Sequence, residues 1–310
     1  MRPVVAIFGP TASGKTAVAV ELALLVGDAE IVSADSMQIY RGLEQITNQP
    51  TPEERRGVPH HLVGCVDPDE PYDVVRYAEA AHAAIDAILE QGGTPIIAGG
   101  SGLYLRAALA EIDFPPPGTE EERDRLRSEV EAMGSAAAHA RLAAVDPNAA
   151  ARIAPADTRR VVRALEIAAH GGSLAPDADD ALWTDATRHP TRLFGLAVDR
   201  AVLRRRIDER TPRLLDAGLE QVRHLLAAPG GLSPTAARAH GVDDIREHLG
   251  GRIDRDECER RLAARTRQYA KRQDTWRRRL PHLELVTADG APAEVARDIA
   301  GRLADEPRYD

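Results

Sequence analysis

The first hundred residues alternate short apolar runs with helical patterns. An apolar run at residues 4–8 leads into a glycine-rich turn and then into an Ala-, Val- and Leu-rich stretch at 15–26 that predicts a helix. A second strand is predicted at 30–33, a helix at 74–90 and a third strand at 95–98. Because strands that alternate with helices form parallel sheets with both faces covered, the pattern predicts an α/β fold.

The pattern changes after residue 109. Three prolines are followed by an acidic, alanine-rich and strongly helical stretch that continues to about residue 170. The α/β pattern returns with predicted strands at 193–198 and 283–286, separated by long helices rich in Arg and Leu, and a closing helix follows. We therefore predict two domains, an α/β core made of residues 1–110 and 190–310 and a helical insertion made of residues 111–189.

Length and composition are those of a globular protein. The 310 residues are 43% hydrophobic, enough for one sizeable core and a smaller appended domain. No apolar run approaches the roughly 18 residues that a membrane helix needs, and no leader pattern precedes the first strand. The two cysteines, Cys65 and Cys258, lie far apart, which argues against structural zinc. We expect a cytoplasmic monomer without a membrane segment.

Charge is unevenly distributed along the chain. The formal net charge of −9 argues against a polyanionic partner, but acidic residues crowd positions 111–131. Near the carboxyl end a basic stripe, on which a polyanion could dock, consists of Arg265, Arg267, Lys271, Arg272, Arg277, Arg278 and Arg279. Lys15 and Lys271 are the only lysines among forty basic residues, which indicates a need for a compact ammonium at these positions.

A phosphate-binding loop lies between the first predicted strand and the first predicted helix. The Walker A pattern is formed by Gly9, Pro10, Thr11, Ala12, Ser13, Gly14, Lys15 and Thr16. Its glycines let backbone N–H groups point at an anion beside a helix amino terminus, while Lys15 adds an ammonium and Thr16 a hydroxyl that can bind a metal ion. The loop predicts a diphosphate site, which serves equally a kinase that uses ATP or a transferase whose leaving group is a diphosphate.

Asp35 follows the second predicted strand. The carboxyl end of that strand borders the crevice where ligands of open α/β sheets bind. Its carboxylate could bind Mg²⁺, act as a general base or cap its own loop. Three residues later, the Gln38 amide is suited to two hydrogen bonds with an adenine edge.

Six ordered motifs carry a family resemblance that spans residue 4 to about residue 280. They are residues 9–16, 35–40 (DSMQIY), 58–62 (VPHHL), 99–104 (GGSGLY), 160–166 (RVVRALE) and 266–276 (TRQYAKRQDTW). Together these motifs resemble those of the bacterial tRNA dimethylallyltransferases. The resemblance implies a P-loop kinase-like sheet covered by helices, with an inserted helical domain that contacts tRNA.

The resemblance also implies a reaction. A dimethylallyl group passes from dimethylallyl diphosphate to the exocyclic N6 amine of the adenosine 3′ of the anticodon, which is flipped out of the tRNA loop, and pyrophosphate is released. Asp35 is then the general base, Lys15 and the loop amides neutralise pyrophosphate, and Mg²⁺ binds at Thr16. Thr11 and Ser101 orient the reactants.

Residues that contact tRNA are likewise implied by the resemblance. The positions that match are Asp35, Ser36, Met37, Gln38, Ser101, Arg123, Arg159, Arg160 and Arg163. For the pair His60 and His61 we expect local hydrogen bonds rather than a metal site. For Tyr269 and Trp276 we expect helix packing rather than base stacking.

The chain departs from the family pattern at several positions. Gln49 stands where the family carries a cation, Ser101 stands where Thr is commoner, and Val242 and Asp243 replace a Tyr and a basic residue. We expect these departures to change substrate affinity and tRNA discrimination rather than the class of reaction.

Three other functions compete with this interpretation. An adenylate isopentenyltransferase has a similar core, but the helical insertion and the basic stripe favour a macromolecular acceptor. A small-molecule P-loop kinase needs an arginine-bearing lid, which the acidic segment after Gly102 provides poorly. An RNA-binding module with a vestigial loop leaves Asp35 and Lys15 without a role.

Overall fold

The structure is a computed structural model that describes residues 3–115, 118–175 and 184–305. The chain forms two compact units, which we call the core unit (residues 1–111 and 185–310) and the helical unit (residues 112–184). The sequence predicted breaks after residues 110 and 189, and the structure puts them after residues 111 and 184.

The core unit contains the α/β fold that the sequence predicted. Its strands are β1 (Val4–Phe8), β2 (Ala29–Ala34), β3 (His60–His61), β4 (Thr94–Gly99), β5 (Thr191–Ala197) and β6 (Glu284–Thr287). They form one parallel sheet in the order β3-β2-β4-β1-β5-β6.

Helices of both units follow in chain order. In the core unit they are α1 (Lys15–Val26), α2 (Pro52–Arg55), α3 (Val74–Glu90) and α4 (Gly102–Leu109), and, after the helical unit, α9 (Arg200–Ala227), α10 (Val242–Leu249), α11 (Arg255–Arg277) and α12 (Pro292–Ala304). In the helical unit they are α5 (Glu120–Met133), α6 (Ser135–Val145), α7 (Pro147–Ala150) and α8 (Thr158–Ala169). A short 3₁₀ helix, Ala236–Arg238, precedes α10.

Strand β1 lies at the centre of the sheet and is buried along its whole length. It pairs with β4 on one side and β5 on the other, with Ala6 opposite Ile97 and Leu193. The core between the sheet, α1 and α12 includes Leu22, Phe194 and Ile299, and each such side chain stabilises the fold by roughly 1.5–3 kcal/mol. Burial on both faces explains why β1 is a continuous apolar run instead of an alternating one.

The topology creates a crevice at the carboxyl ends of β1 and β4. The connection from β1 passes over β4 to β2, whereas the connection from β4 passes in the other direction over β1 to β5. Ligands of open α/β sheets bind where the connections diverge in this way. The phosphate loop after β1, Asp35 after β2 and Ser101 after β4 therefore share one edge of the sheet.

Among the strands of the described residues, β3 alone was not predicted by the sequence pattern. It has two residues at the edge of the sheet, opposite Ile31 and Val32, too short for an alternating pattern. His60 Nδ1 bonds to the Val58 carbonyl at 2.8 Å, and His61 Nε2 bonds to Glu30 at 2.5 Å. The two histidines thus make local hydrogen bonds, as expected.

In the described part of the helical unit, helices α5–α8 pack around a small apolar cluster that includes Leu126, Leu142 and Val161. Helix α5 begins at residue 120 because Thr119 and Glu122 form a capping box. Pro116 and Pro117, two of the three prolines predicted to break the pattern, lie outside the described residues, as do residues 176–183 of the predicted insertion. Over the described ranges, no helix combines the length and apolarity needed to cross a membrane.

Candidate active site

The phosphate loop has the backbone of an anion cradle. Gly14, at the amino end of α1, has φ of +85°, a conformation that only glycine adopts freely. Ala12 also has a positive φ, +64°, which costs a non-glycine residue roughly 1–2 kcal/mol. A backbone held in such a conformation is typical of a ligand clamp. The Gly9 N–H donates to the Gly99 carbonyl at 3.2 Å and fastens the loop to the end of β4.

The loop opens into a cavity of about 520 Å³. Residues 11–16 line it together with Asp35, Gln38, Arg206 and Arg210. Burial lowers the pKa of the Lys15 ammonium, Arg210 lowers it further, and the carboxylate of Asp35 works in the opposite direction. A partly desolvated ammonium interacts strongly with an anion because little water screens it.

Two arginines of α9 add positive charge to the cavity. Arg210 Nη2 donates to Thr11 Oγ1 at 2.9 Å, and Arg206 Nη1 donates to the Ala12 carbonyl at 3.3 Å. Burial lowers the pKa of Arg210, although a guanidinium stays charged in proteins. Neither arginine belongs to a motif in the sequence, and their only signal was the i, i+4 spacing that places both on one face of a helix.

Asp35 lies at the rim of the same cavity and is half-buried. Its Oδ1 accepts the backbone N–H of Met37 at 3.0 Å. The loop-capping interpretation therefore holds for one oxygen, while Oδ2 makes no hydrogen bond to any residue in the described ranges. The carboxylate can cap its loop and still bind or deprotonate a ligand.

The other residues of the Asp35 motif are held by contacts within the chain. Gln38 Nε2 donates to the Asn48 carbonyl at 2.8 Å, and the Ser33 hydroxyl donates to Gln38 Oε1 at 3.4 Å. Ser36 and Met37 are half-buried beside it. A contact of Gln38 with an adenine edge stays a prediction, and it requires the amide to share or exchange these partners.

Ser101 begins α4, and its hydroxyl makes no capping bond to that helix. The preceding turn contacts α11 through Gln273, whose Nε2 donates to the Gly100 carbonyl at 2.9 Å and whose Oε1 accepts the Thr11 N–H at 2.7 Å. Gln273 was part of a recognised motif but received no role from the sequence. Trp276, one turn later on α11, packs against Gly102, so the expectation of helix packing is confirmed for this residue.

The four candidate arginines of the helical unit fall into two groups. Arg163 and Arg123 surround the buried carboxylate of Glu166, at 2.9 and 3.4 Å. Both also donate to carbonyls of the segment before α5, at Pro115 and Gly118. Arg159 and Arg160 are exposed, and neither forms an ion pair with a described residue.

Two of the positions that depart from the family pattern, Gln49 and Val242, are buried in the core unit. Gln49 is buried and donates to the Tyr40 carbonyl at 2.7 Å. Val242 is fully buried, and exposed Asp243 pairs with Arg246 at 3.0 Å. A neutral amide at Gln49 therefore satisfies a buried carbonyl, where an ammonium would have to be desolvated.

Much of the basic stripe is neutralised by neighbouring carboxylates. Arg265 pairs with Asp244, Arg267 with Asp208, and both Arg277 and Arg278 with Asp274. Lys271 and Arg272 are exposed and form no ion pair with a residue that the structure describes. These two cations are the part of the stripe best placed to meet a polyanion.

A metal ion could be held at the phosphate loop by Thr16. Within the described ranges, no three His, Cys, Asp or Glu side chains cluster in a way that could hold a metal ion. The Thr16 hydroxyl, half-buried in the first turn of α1, lines the cavity near Asp35. This set fits Mg²⁺, which keeps several waters and binds through few protein ligands plus substrate phosphates.

Comparisons with known proteins agree on one family. Residues 38–280 match the family model described as IPP transferase. A tRNA dimethylallyltransferase of Desulforudis audaxviator is 41% identical, with 98% of each chain covered. One from Anaeromyxobacter dehalogenans is 45% identical over 96% of this chain and 99% of its own. The crystal structure of a tRNA isopentenylpyrophosphate transferase from Bacillus halodurans superposes with a TM-score of 0.70 at 32% identity, covering 98% of each chain.

Proposed function

The chain belongs to the IPP transferase family, and from this premise we propose that it transfers a dimethylallyl group from dimethylallyl diphosphate to the exocyclic N6 amine of the adenosine 3′ of the anticodon in tRNA. Pyrophosphate is the second product. The observation that carries the proposal is the shared cavity in which Lys15 and the phosphate loop meet Asp35.

The diphosphate end of the donor binds at the loop. The amino terminus of α1 borders the cavity that receives the anion, and Lys15, Arg206 and Arg210 supply three positive charges. Because these groups are held before the reaction begins, they stabilise the charge that builds on pyrophosphate as the C–O bond breaks. This electrostatic stabilisation of the leaving group lowers the activation barrier more than any other interaction in the proposed site.

The acceptor amine is deprotonated by Asp35. The N6 nitrogen forms a bond to the allylic carbon, the C–O bond electrons leave with pyrophosphate, and the amine proton passes to the Asp35 carboxylate. Thr11 and Ser101 orient the reactants, and Ser36, Met37 and Gln38 contact the adenosine. The hydrogen bond from Met37 fixes one carboxylate oxygen, so the other can face the nitrogen.

A magnesium ion completes the proposed donor site. Thr16 would hold it together with oxygens of the diphosphate and water. When bound, Mg²⁺ neutralises charge on the leaving group. The chain's own cations still bind and orient the diphosphate.

Binding of tRNA is proposed to use exposed cations. Phosphates of tRNA contact two exposed arginines of the helical unit, Arg159 and Arg160, and two exposed cations of the core unit, Lys271 and Arg272. We propose that the enzyme acts as a monomer. Arg123 and Arg163, which pair with Glu166, are proposed to contact tRNA as well.

Transfer of radiolabel tests the proposal. The protein is incubated with Mg²⁺, labelled dimethylallyl diphosphate and one of three acceptors: tRNA, the same tRNA with guanosine 3′ of the anticodon, or AMP. Label should enter only the first. Label on AMP would identify an adenylate isopentenyltransferase, and ATP hydrolysis without any prenyl transfer would identify a P-loop kinase.

A further inference from the structure

Gln273 joins two catalytic loops that are far apart in sequence. Its Oε1 accepts the Thr11 N–H at 2.7 Å, and its Nε2 donates to the Gly100 carbonyl at 2.9 Å. The side chain is 2% exposed, so no water competes for these bonds. We propose that Gln273 is a positioning residue that sets the separation of Thr11 and Ser101, an inference that rests on the proposed function.

Helix α11 packs so closely against the turn at residues 100–102 that no side chain fits at Gly100 or Gly102. A Cβ at Gly100 would overlap the Gln273 amide, and a Cβ at Gly102 would overlap the Trp276 ring. Helix α11 therefore packs directly against the backbone that leads into Ser101. The glycines of this turn are explained by the approach of α11 rather than by phosphate binding.

The two bonds also require one orientation of one chemical group. The partner at Thr11 is a donor and the partner at Gly100 is an acceptor, so the bridging side chain must accept on one atom and donate on the other. Among side chains of this length, a neutral amide does so. A carboxylate fails at Gly100, and a thioether has no donor for Gly100 and only a weak acceptor for the Thr11 N–H.

Thr11 is held from two helices at once. Gln273 of α11 accepts a hydrogen bond from the backbone N–H of Thr11, and Arg210 of α9 donates one to the Thr11 hydroxyl. The Thr11 N–H is thereby withdrawn from phosphate binding, and the residue acts through its side chain. Pyrophosphate binding is assigned to Lys15, Arg206 and Arg210, and Gln273 forms no hydrogen bond with these cations within the described residues.

Because Gln273 positions Thr11 and does not bind pyrophosphate, we can predict which kinetic constant a mutation of Gln273 changes. Removal of the bridge lets Thr11 and Ser101 drift relative to one another, which affects the step in which both substrates must be aligned. A misplacement of about 1 Å lowers such a rate about 100-fold. Donor affinity should change little, so the effect should fall on kcat rather than on KM.

The test compares three variants with the wild-type enzyme. Gln273→Met keeps the length and removes both bonds. Gln273→Glu gives a carboxylic acid that, while protonated, still donates to Gly100 and accepts from Thr11. Gln268→Met is the matched control, because Gln268 is exposed on the same helix. Single-turnover rates are measured at saturating enzyme, where the rate constant does not depend on the folded fraction, with KM for dimethylallyl diphosphate and Tm beside them.

We expect Gln273→Met to lower the rate constant ~10- to 100-fold with KM within about threefold of wild type, and Gln268→Met to change neither. Relative to wild type, Gln273→Glu should regain rate as pH falls, because burial raises the pKa of a carboxylic acid and only its protonated form donates. The ratio of the Gln273→Met rate constant to the wild-type rate constant should not depend on pH.

Two results would overturn the inference. One is a lowered Tm for Gln273→Met with an unchanged rate constant, which means the residue is merely structural. The other is a rate ratio for Gln273→Glu that stays low down to the most acidic pH at which the wild type is active, which decides the matter even if Gln273→Met does not fold. An inactive wild-type enzyme would instead refute the proposed function, so the two failures are distinguishable.

Discussion

Oδ1 of Asp35 accepts the backbone N–H of Met37 at 3.0 Å. This bond ties the carboxylate of Asp35, a residue that lines the cavity, to its own loop through one oxygen and leaves the second oxygen without a hydrogen bond to a described residue. Capping and catalysis are therefore compatible at Asp35, because each uses a different atom of the same group. A substitution that keeps the first oxygen and alters the second separates the two roles.

Asp35→Asn should lower turnover roughly 10²- to 10⁴-fold, the range that a general base contributes. The amide oxygen can still accept from Met37, so the loop keeps its shape, and the inhibition constant of pyrophosphate should stay within about threefold of wild type. Asp199→Asn is the control, because Asp199 caps α9 through the same kind of bond and is not among the residues that line the cavity. Turnover near wild type would remove Asp35 as the base.

Lys15→Arg should raise KM for dimethylallyl diphosphate ~10-fold or more although the charge is conserved. The phosphate loop encloses a compact ammonium, and a planar guanidinium presents its donors in a different geometry. Lys271→Arg changes the only other lysine, which is exposed on α11, and should leave donor KM unchanged. Equal donor KM values for the two variants would show that only charge matters at position 15.

The pKa of Lys15, which burial lowers from 10.5, predicts an alkaline limit to donor capture. As pH rises, Lys15 loses its proton earlier than an ordinary lysine, and the neutral amine no longer attracts the diphosphate. kcat/KM for dimethylallyl diphosphate should therefore fall with an apparent pKa below 10.5. Lys15→Arg should lack this limb, since arginine stays charged. A shared limb would assign the titration to another group.

Arg163→Met should destabilise the helical unit by ~1–3 kcal/mol, because it leaves the buried Glu166 carboxylate with fewer partners. Denaturant unfolding and hydrogen exchange of α5 and α8 measure the change. The double variant Arg163→Met with Glu166→Gln removes the buried charge as well and should be more stable than the single variant. A double variant that is no more stable would contradict the role assigned to Glu166.

Arg159→Ala with Arg160→Ala should weaken tRNA binding without affecting the fold. The salt dependence of the binding constant should become shallower by about 1 for each tRNA phosphate that the variant no longer neutralises. KM for dimethylallyl diphosphate should not change. Arg141→Ala is the control, since Arg141 is paired with Glu129 in the same unit. An unchanged salt slope would exclude these two arginines from the tRNA interface.

Local sequence predicted the elements that are continuous apolar runs or long stretches of helix-forming residues. The bounds of β1, α1 and α3 agree with the sequence pattern, whereas β2, β4 and β5 begin one or two residues earlier than predicted. Strand ends depend on hydrogen bonds to neighbouring strands, which no local pattern contains. The two-residue edge strand β3 forms because its backbone pairs with that of β2.

Within the candidate site, the sequence by itself determined the phosphate loop and Asp35, because the conformation of each depends mainly on neighbouring residues in the chain. The phosphate loop forms from eight consecutive residues, and Asp35 follows directly from the end of a strand, so local backbone geometry is enough to predict both. Only the tertiary structure decided that Arg210 reaches Thr11 and that Gln273 bridges Thr11 and Gly100. It also decided that Arg123 and Arg163 surround Glu166. The physical reason is that helical periodicity reveals which residues share a face, but the direction of that face depends on packing against residues far away in the chain.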